Sequence, residues 1–245
     1  MVFLDTIFST SGTHTLYTCY GSAVALTLDS IDGNCIVSQS PVNLSGDIVW
    51  DGGGDGTSWD DPINWTNDLV PVDTSDVIFP KNLNVTITSS VSNNTAASII
   101  VDTNSVVNLE LDLTIVDTTS LVGCISVKDS STLQLGSGTT ASTFVFGCEF
   151  GKDPVAVRGD MSELIISSMA TVDVTSGLNN IRITNPNALI TNNGTLNVLG
   201  YKTRGINVGA GTFANNGNLN ISVGRTTSND GIHMPSGAVF NNGVN

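Results

Sequence analysis

A short alternation of apolar and outward-facing residues returns along this chain at a nearly constant interval, and that period limits what it can fold into. The copies are SIIV with Ile99, CISV with Ile125, PVAV with Val155, NIRI with Ile181, GINV with Ile206 and GIHM with Ile232, at steps of 26, 30, 26, 25 and 26 residues. A second ladder, polar-apolar-polar-apolar, runs between them as NLNV at Asn82, NLEL at Asn108, TLQL at Thr132, TVDV at Thr171, TLNV at Thr195 and NLNI at Asn218. Asn-Asn-Gly recurs at Asn192, Asn215 and Asn241. Alternation of period two is the signature of a strand with one buried face. A hairpin would put the partner strand a few residues away, whereas here the same motif returns after about one coil's length, with a further strand and turn residues in between. Equivalent strands then stack in parallel about 4.8 Å apart. The chain is therefore expected to be all-β, a parallel β-helix of about six coils, each depending on its neighbours for burial.

Composition agrees. Hydrophobic residues make up 40% of the 245, enough for a core, while only 12% are charged, so the polar surface must come from Asn, Thr, Ser and Gly, residues of strands and turns. Asn-Gly corners tolerate left-handed backbone, and stacking of Asn193, Asn216 and Asn242 would align their amides along the axis. The sequons at Asn64, Asn84 and Asn193 are expected by chance in such a chain and matter only in a eukaryotic secretory setting. The formal charge of −14 opposes binding to a phosphate backbone, so nucleic acid is excluded as a partner. No run of residues reaches the length of a membrane span, and the first residues, MVFLDTIFSTSG, lack the basic start of a signal peptide. The natural amino terminus is accordingly expected to lie elsewhere.

Charge divides the chain near residue 80. Residues 1–80 hold eleven Asp and no Lys or Arg, while all eight basic residues follow Pro80. The expected regions are 1–46, a β segment that ends a preceding domain or forms a first irregular coil; 47–80, a Trp- and Asp-rich module; and 81–245, the β-helix. All three tryptophans fall in WDGGGDGTSWDDPINWTNDLVPVDTSDVIFP, residues 50–80. This stretch resembles the Trp-Gly-Gly, Trp, Asn-Trp, Val-Pro, Asp-Asp-Val-x-Ile module at the start of bacterial secreted and surface adhesin-like proteins, ahead of a right-handed parallel β-helix. The matching positions are Trp50, Gly52, Gly53, Trp59, Asn64, Trp65, Pro71, Asp76, Val77 and Ile78, and Ser75-Asp76 replaces the usual pair of acids. The resemblance implies the fold and an extracellular or cell-surface location, and implies no activity.

The open end of a stack needs an apolar cover. Trp50, Trp59 and Trp65 suit that cap, and a platform for stacking sugars is the alternative. Seven Asp lie in the same stretch; Ca²⁺ would relieve their repulsion with Asp51 and Asp55 as first ligands, and solvated acids in glycine turns are the plainer reading. Four cysteines without a CxxC spacing point away from zinc and thiol redox chemistry. Cys19 and Cys35 are candidates for a local disulfide, and Cys124 for a buried thiol.

His14 and His233 lie far apart in sequence, and no nucleophile elbow or phosphate loop is present, which leaves nucleophilic catalysis without its parts. The densest mixed-charge patch falls where the second ladder lengthens to 39 residues, an apparent insertion. There Lys152, Asp153, Arg158 and Asp160 could imitate the acid, Lys and Arg arrangement of β-helix polysaccharide lyases and hydrolases. Arg158-Gly159-Asp160 spells an integrin-type tripeptide, for which a bulge turn is the plainer account. The sequence stops at Asn-Asn-Gly-Val-Asn, inside what would be another ladder copy. An exposed strand edge there is expected either to continue in a longer protein or to self-associate. The expected function is a non-catalytic surface or adhesin-type rod that meets glycans or other surface proteins, with no cofactor beyond Ca²⁺; the alternative is a carbohydrate-active enzyme using the 149–163 bulge.

Overall fold

A computed structural model describes residues 13–19, 35–43, 47–117, 123–148, 152–175, 178–201, 203–222 and 230–243. The chain separates into two compact units, Met1–Gly46 and Asp47–Asn245. In the first, strands Thr13–Cys19 and Cys35–Asn43 pair antiparallel, with Cys19 opposite Cys35. The side chains of this unit, including those of the proposed Cys19–Cys35 disulfide and His14, lie outside the described residues.

The second unit is a parallel β-solenoid of about seven turns, built from three sheets of 8, 7 and 6 strands. One turn shows the order: Ser98–Val101 in sheet I, Val106–Glu110 in sheet II, Leu113–Asp117 in sheet III, then Ile125–Val127 back in sheet I. Every strand pairs in parallel with its equivalent one turn away, for instance Ile125 with Ile99 and with Val155. Strands Asp47–Val49 and Asp76–Phe79 are the first rungs of sheet I, so the stack already runs through residues 47–80.

Alternation decides what is inside. In the turn beginning at Ile125, the inward residues Ile125, Val127, Leu133, Leu135, Phe144 and Phe146 are all buried. Each contributes roughly 1.5–3 kcal/mol relative to exposure, and each rests on the equivalent side chain of the turns on either side. Buried serines close the corner between sheets I and II: Ser105 Oγ donates to the Pro80 carbonyl at 2.8 Å, and Ser131 Oγ to that of Asp102 at 2.6 Å.

The first sequence ladder is one structural column. Ile99, Ile125, Val155, Ile181, Ile206 and Ile232 are register partners in sheet I, preceded by Val77 and Ile48. The second ladder is two columns read as one. NLEL and TLQL belong to sheet II, whereas TVDV, TLNV and NLNI lie on strands Ala170–Thr175, Thr195–Leu199 and Asn218–Ser222 of sheet III. The 39-residue step is therefore a change of sheet, and the sheet II equivalent of Thr132 is Glu163. Two faces with the same alternation and the same return length cannot be told apart by pattern alone.

The third Asn-Asn-Gly is also displaced. Phe213 pairs with Phe240, their rings stacked at 5.5 Å, so Asn215 faces Asn242 and Ala214 faces Asn241. Burial of the aromatic fixes the parity and slips the triplet by one residue. The expected column of Asn193, Asn216 and Asn242 is replaced by an inner one, Asn192–Asn215–Asn242, and an outer pair, Asn193–Asn216.

Candidate functional site

The outward column of sheet I changes character halfway along. It reads Val49, Ile78, Ile100, Ser126, Ala156, Arg182, Asn207 and His233. Beside its charged half lies Asp153, two residues before the strand Val155–Val157 and only 5% exposed. A desolvated carboxylate needs compensating charge and donors. Asp153 has both: its Oδ2 lies 3.2 Å from Arg158 Nη2 and 3.1 Å from Arg182 Nη1, while Oδ1 accepts a 2.7 Å bond from Asn179 Nδ2. Ala156 points outward between these partners and is buried all the same. Gly123, one turn earlier, sits in left-handed backbone at φ +91°, and a Cβ there would meet the Asp153 carbonyl oxygen at 2.2 Å. The neighbouring coil thus has to be glycine for Asp153 to sit where it does.

One turn further on, Arg204 Nε lies 3.7 Å from Asp230 Oδ2, which also contacts His233 Nδ1 at 3.1 Å. Asp129 and Asp160 belong to a different corner: Asp160 Oδ1 accepts from Asn187 Nδ2 at 2.7 Å, and its own amide donates to Asp129 Oδ1. Of the four residues expected to act together, Asp153 and Arg158 meet, and Asp160 serves the turn into sheet II. Lys152 enters through its backbone, whose carbonyl accepts from Leu178 N at 2.6 Å. Asn179, Arg182, Arg204 and Asp230 escaped sequence reading, although the outward middle residue of NIRI carried the signal. In Arg158-Gly159-Asp160 the glycine is dictated by packing, since a Cβ would lie 2.4 Å from Asp129 N.

The Trp/Asp module sits against the first turn. Trp59 N donates to Thr88 O at 2.8 Å, and Thr88 N to Thr57 O at 2.9 Å, at the edge of sheet II. Trp50, Trp59 and Trp65 are 2%, 0% and 0% exposed. Trp65 meets Trp50 and Trp59 edge-on, at 4.8 and 4.9 Å between centroids, and donates its Nε1–H to the Trp59 carbonyl at 2.7 Å. Rings covered on all sides offer no face to a sugar, which removes the sugar-platform reading.

Buried Asn64 organises the glycine run. Its Oδ1 accepts from Gly54 N and Gly56 N at 3.0 and 2.8 Å, and its Nδ2 donates to Asp55 Oδ1 and Ser58 O. Asp55 also accepts from the Ser58 hydroxyl and from the amides of Thr57 and Ser58. The Ser58 hydroxyl, then Asn64 and the two amides, hold the Asp55 carboxyl far below its ordinary range. Asp51 Oδ1 accepts from Gly53 N at 3.0 Å. Among the described residues no three potential metal ligands cluster. Cys124, expected as a buried thiol, is buried but forms a disulfide; spacing alone carries no information about pairing through a corner of the stack. No described helix is long and apolar enough to cross a membrane.

Fold and site define a parallel β-solenoid with a charged outer face on one of its three sheets. No protein-family model matches the chain, and neither a curated protein nor a solved structure does.

Proposed function

We propose that the chain is the non-catalytic rod of a secreted or cell-surface attachment protein of the bacterial adhesin type, capped by Trp50, Trp59 and Trp65. The observation that carries this reading is the order of its outer polar residues. They bond to one another from coil to coil: Asp173 to Asn197 at 2.7 Å, Asn197 to Asn220 at 2.8 Å, Asn193 to Asn216 at 3.0 Å, and Asn82 to Asn104 at 2.8 Å. Rows of donors and acceptors already fixed at the strand spacing have little rotamer freedom left to lose when a glycan or a partner surface is laid along them. The Cys124 disulfide supports an oxidising, extracytoplasmic setting.

The alternative of a carbohydrate-active enzyme loses support at Asp153. A general base must be able to accept a proton from substrate, and this carboxylate is occupied by Arg158, Arg182 and Asn179. The test is retention of the protein on immobilised polysaccharides, with the chain length of the polysaccharide followed in parallel. Binding with unchanged length is expected. Shortening of an acidic polysaccharide that disappears in Asp153→Ala or Arg158→Ala would overturn the reading.

A further inference from the structure

Charge is segregated by face in this acidic rod. No strand of sheet II or sheet III carries Lys or Arg. All six basic residues whose side chains are described (Lys81, Lys128, Lys152, Arg158, Arg182 and Arg204) lie on sheet I strands or within three residues of their ends. Around Arg182, where Lys152, Arg158, Arg182 and Arg204 stand against Asp153 and Asp230, this leaves local positive potential in a chain of formal charge −14. Neutralising Asp153 and Asp230 does not exhaust these groups. Arg158 and Arg182 each spend one donor on the same oxygen, Asp153 Oδ2, and remain 47% and 40% exposed, with most of their five N–H groups to offer.

A second observation falls on the same spot. Among the described residues, the buried side-chain polar atoms without a hydrogen bond include Asn179 Oδ1, Arg182 Nε and Arg204 Nε, the last at ion-pair distance, 3.7 Å, from Asp230 Oδ2. Asn179 is 5% exposed and is the register partner of Arg204. Native structures seldom leave such atoms unsatisfied without a reason. Two are donors of the planar fork that suits carboxylate and sulfate; the third is an acceptor that suits a hydroxyl.

We infer that the outer face of sheet I around Asn179, Arg182 and Arg204 is a binding site for an acidic glycan, one bearing carboxylate or sulfate groups beside free hydroxyls. The anionic group is held by the Arg182 and Arg204 guanidinium forks, and a neighbouring hydroxyl donates to Asn179 Oδ1. Asp153 positions Arg182 from behind and takes no part in any reaction. The polymer runs along the axis, because Arg182, Asn207 and His233 repeat on consecutive coils at the strand spacing of about 4.8 Å, close to the length of one pyranose unit. The inference rests on the attachment reading and names the ligand class of that surface.

The experiment measures binding of the whole chain to polygalacturonate, chondroitin sulfate and neutral dextran, for the wild type and for Arg204→Gln, Arg204→Lys and, on sheet III, Thr114→Ala, with thermal melts confirming the fold of each. The wild type is expected to hold at least one acidic polymer about tenfold more tightly than dextran, and Arg204→Gln to lose about tenfold of that affinity. Arg204→Lys recovers only part of it, and Thr114→Ala none of the loss. Preference for the carboxylated or the sulfated polymer identifies the anionic group. Equal binding of all three polymers, or an Arg204→Gln variant that binds like the wild type, overturns this site while leaving attachment intact. Failure to bind any polymer removes both readings, and tighter binding to single-stranded DNA than to either glycan overturns the glycan assignment.

Discussion

The two halves of the solenoid fill one inner column with opposite chemistry. In sheet II the column begins Ile87, Leu109, Leu135, Ile166 and continues Asn192, Asn215, Asn242. The aliphatic half is held by burial, which is strong but indifferent to direction. In the amide half, Asn192 Nδ2 donates to Asn215 Oδ1 at 2.7 Å, and Asn215 Nδ2 to Asn242 Oδ1 at 2.8 Å. Asn192 Oδ1 accepts from Gly194 N, and Asn215 Nδ2 also reaches Gly217 O. A polar column is tolerated inside because Asn192 and Asn215 each pass a bond to the next coil, while Asn242, on the last described strand of the sheet, is exposed. Register is therefore set by parity in the early turns and by directional bonds in the later ones.

The largest effects belong to the aliphatic half. Trp59→Ala removes a fully buried ring from contact with Trp65 and should cost about 3–5 kcal/mol. Leu135→Asn puts a single amide between Leu109 and Ile166, where no ladder exists to receive it; about 3–5 kcal/mol is again expected. Urea unfolding followed by circular dichroism measures both. A loss below about 1 kcal/mol for Leu135→Asn would show that the two halves are interchangeable.

The amide half should respond differently to being changed singly or as a whole. Asn215→Leu leaves one N–H of the buried Asn192 amide without its acceptor, the other still bonded to Asn218 O, at a cost of about 1–2 kcal/mol. Replacing Asn192, Asn215 and Asn242 together by Leu should recover only part of that loss, since an apolar column needs no amide partners of its own but leaves Gly194 N and Gly217 O without theirs. A triple variant less stable than the single one would mean that the amides are needed for more than mutual satisfaction.

What the sequence disclosed follows the same division. Period-two alternation and the return of Ile99, Ile125, Val155, Ile181, Ile206 and Ile232 suffice for the solenoid, because parity and spacing are one-dimensional quantities. They do not reveal which face a strand joins, hence the merging of sheets II and III into one ladder. Nor do they show that Asp153 is clasped by Arg182, 29 residues away, since that contact exists only once coils are stacked. The Asn-Asn-Gly triplets misled for a related reason: turn chemistry recurs, but Phe213 and Phe240 set the register.

Reduction separates the halves by covalent means. Cys124 is fully buried next to Ile125 of sheet I, and its disulfide ties down the corner leading from sheet III into a central turn. Reducing agent, added under native conditions long enough to reach equilibrium, should lower the unfolding free energy by about 2–4 kcal/mol. The loss should be the same in wild type and in the triple Leu variant, whose substitutions lie on later coils. A reductant effect that differs between the two proteins would show that the halves are energetically coupled.

The smallest effect concerns the glycine loop at the Trp-rich end. Asp55 is held as a carboxylate below its ordinary value of 3.8 by Ser58, Asn64 and nearby amides. A folded-state value lower than the unfolded one stabilises the fold fully above about pH 4, and the contribution drains away as acid protonates the group in the native state. Asp55→Asn should therefore melt below the wild type at neutral pH, and the gap should narrow as pH falls from about 4 toward 2. Millimolar calcium should shift the wild-type melting temperature by less than about 1 °C, because a ligand that stabilises must find acceptors not already used, and those of Asp55 receive Thr57, Ser58 and Asn64. A calcium-dependent rise that Asp51→Asn and Asp55→Asn each abolish would instead make this loop a cation site, and the two ends of the stack would then differ in ionic as well as in apolar content.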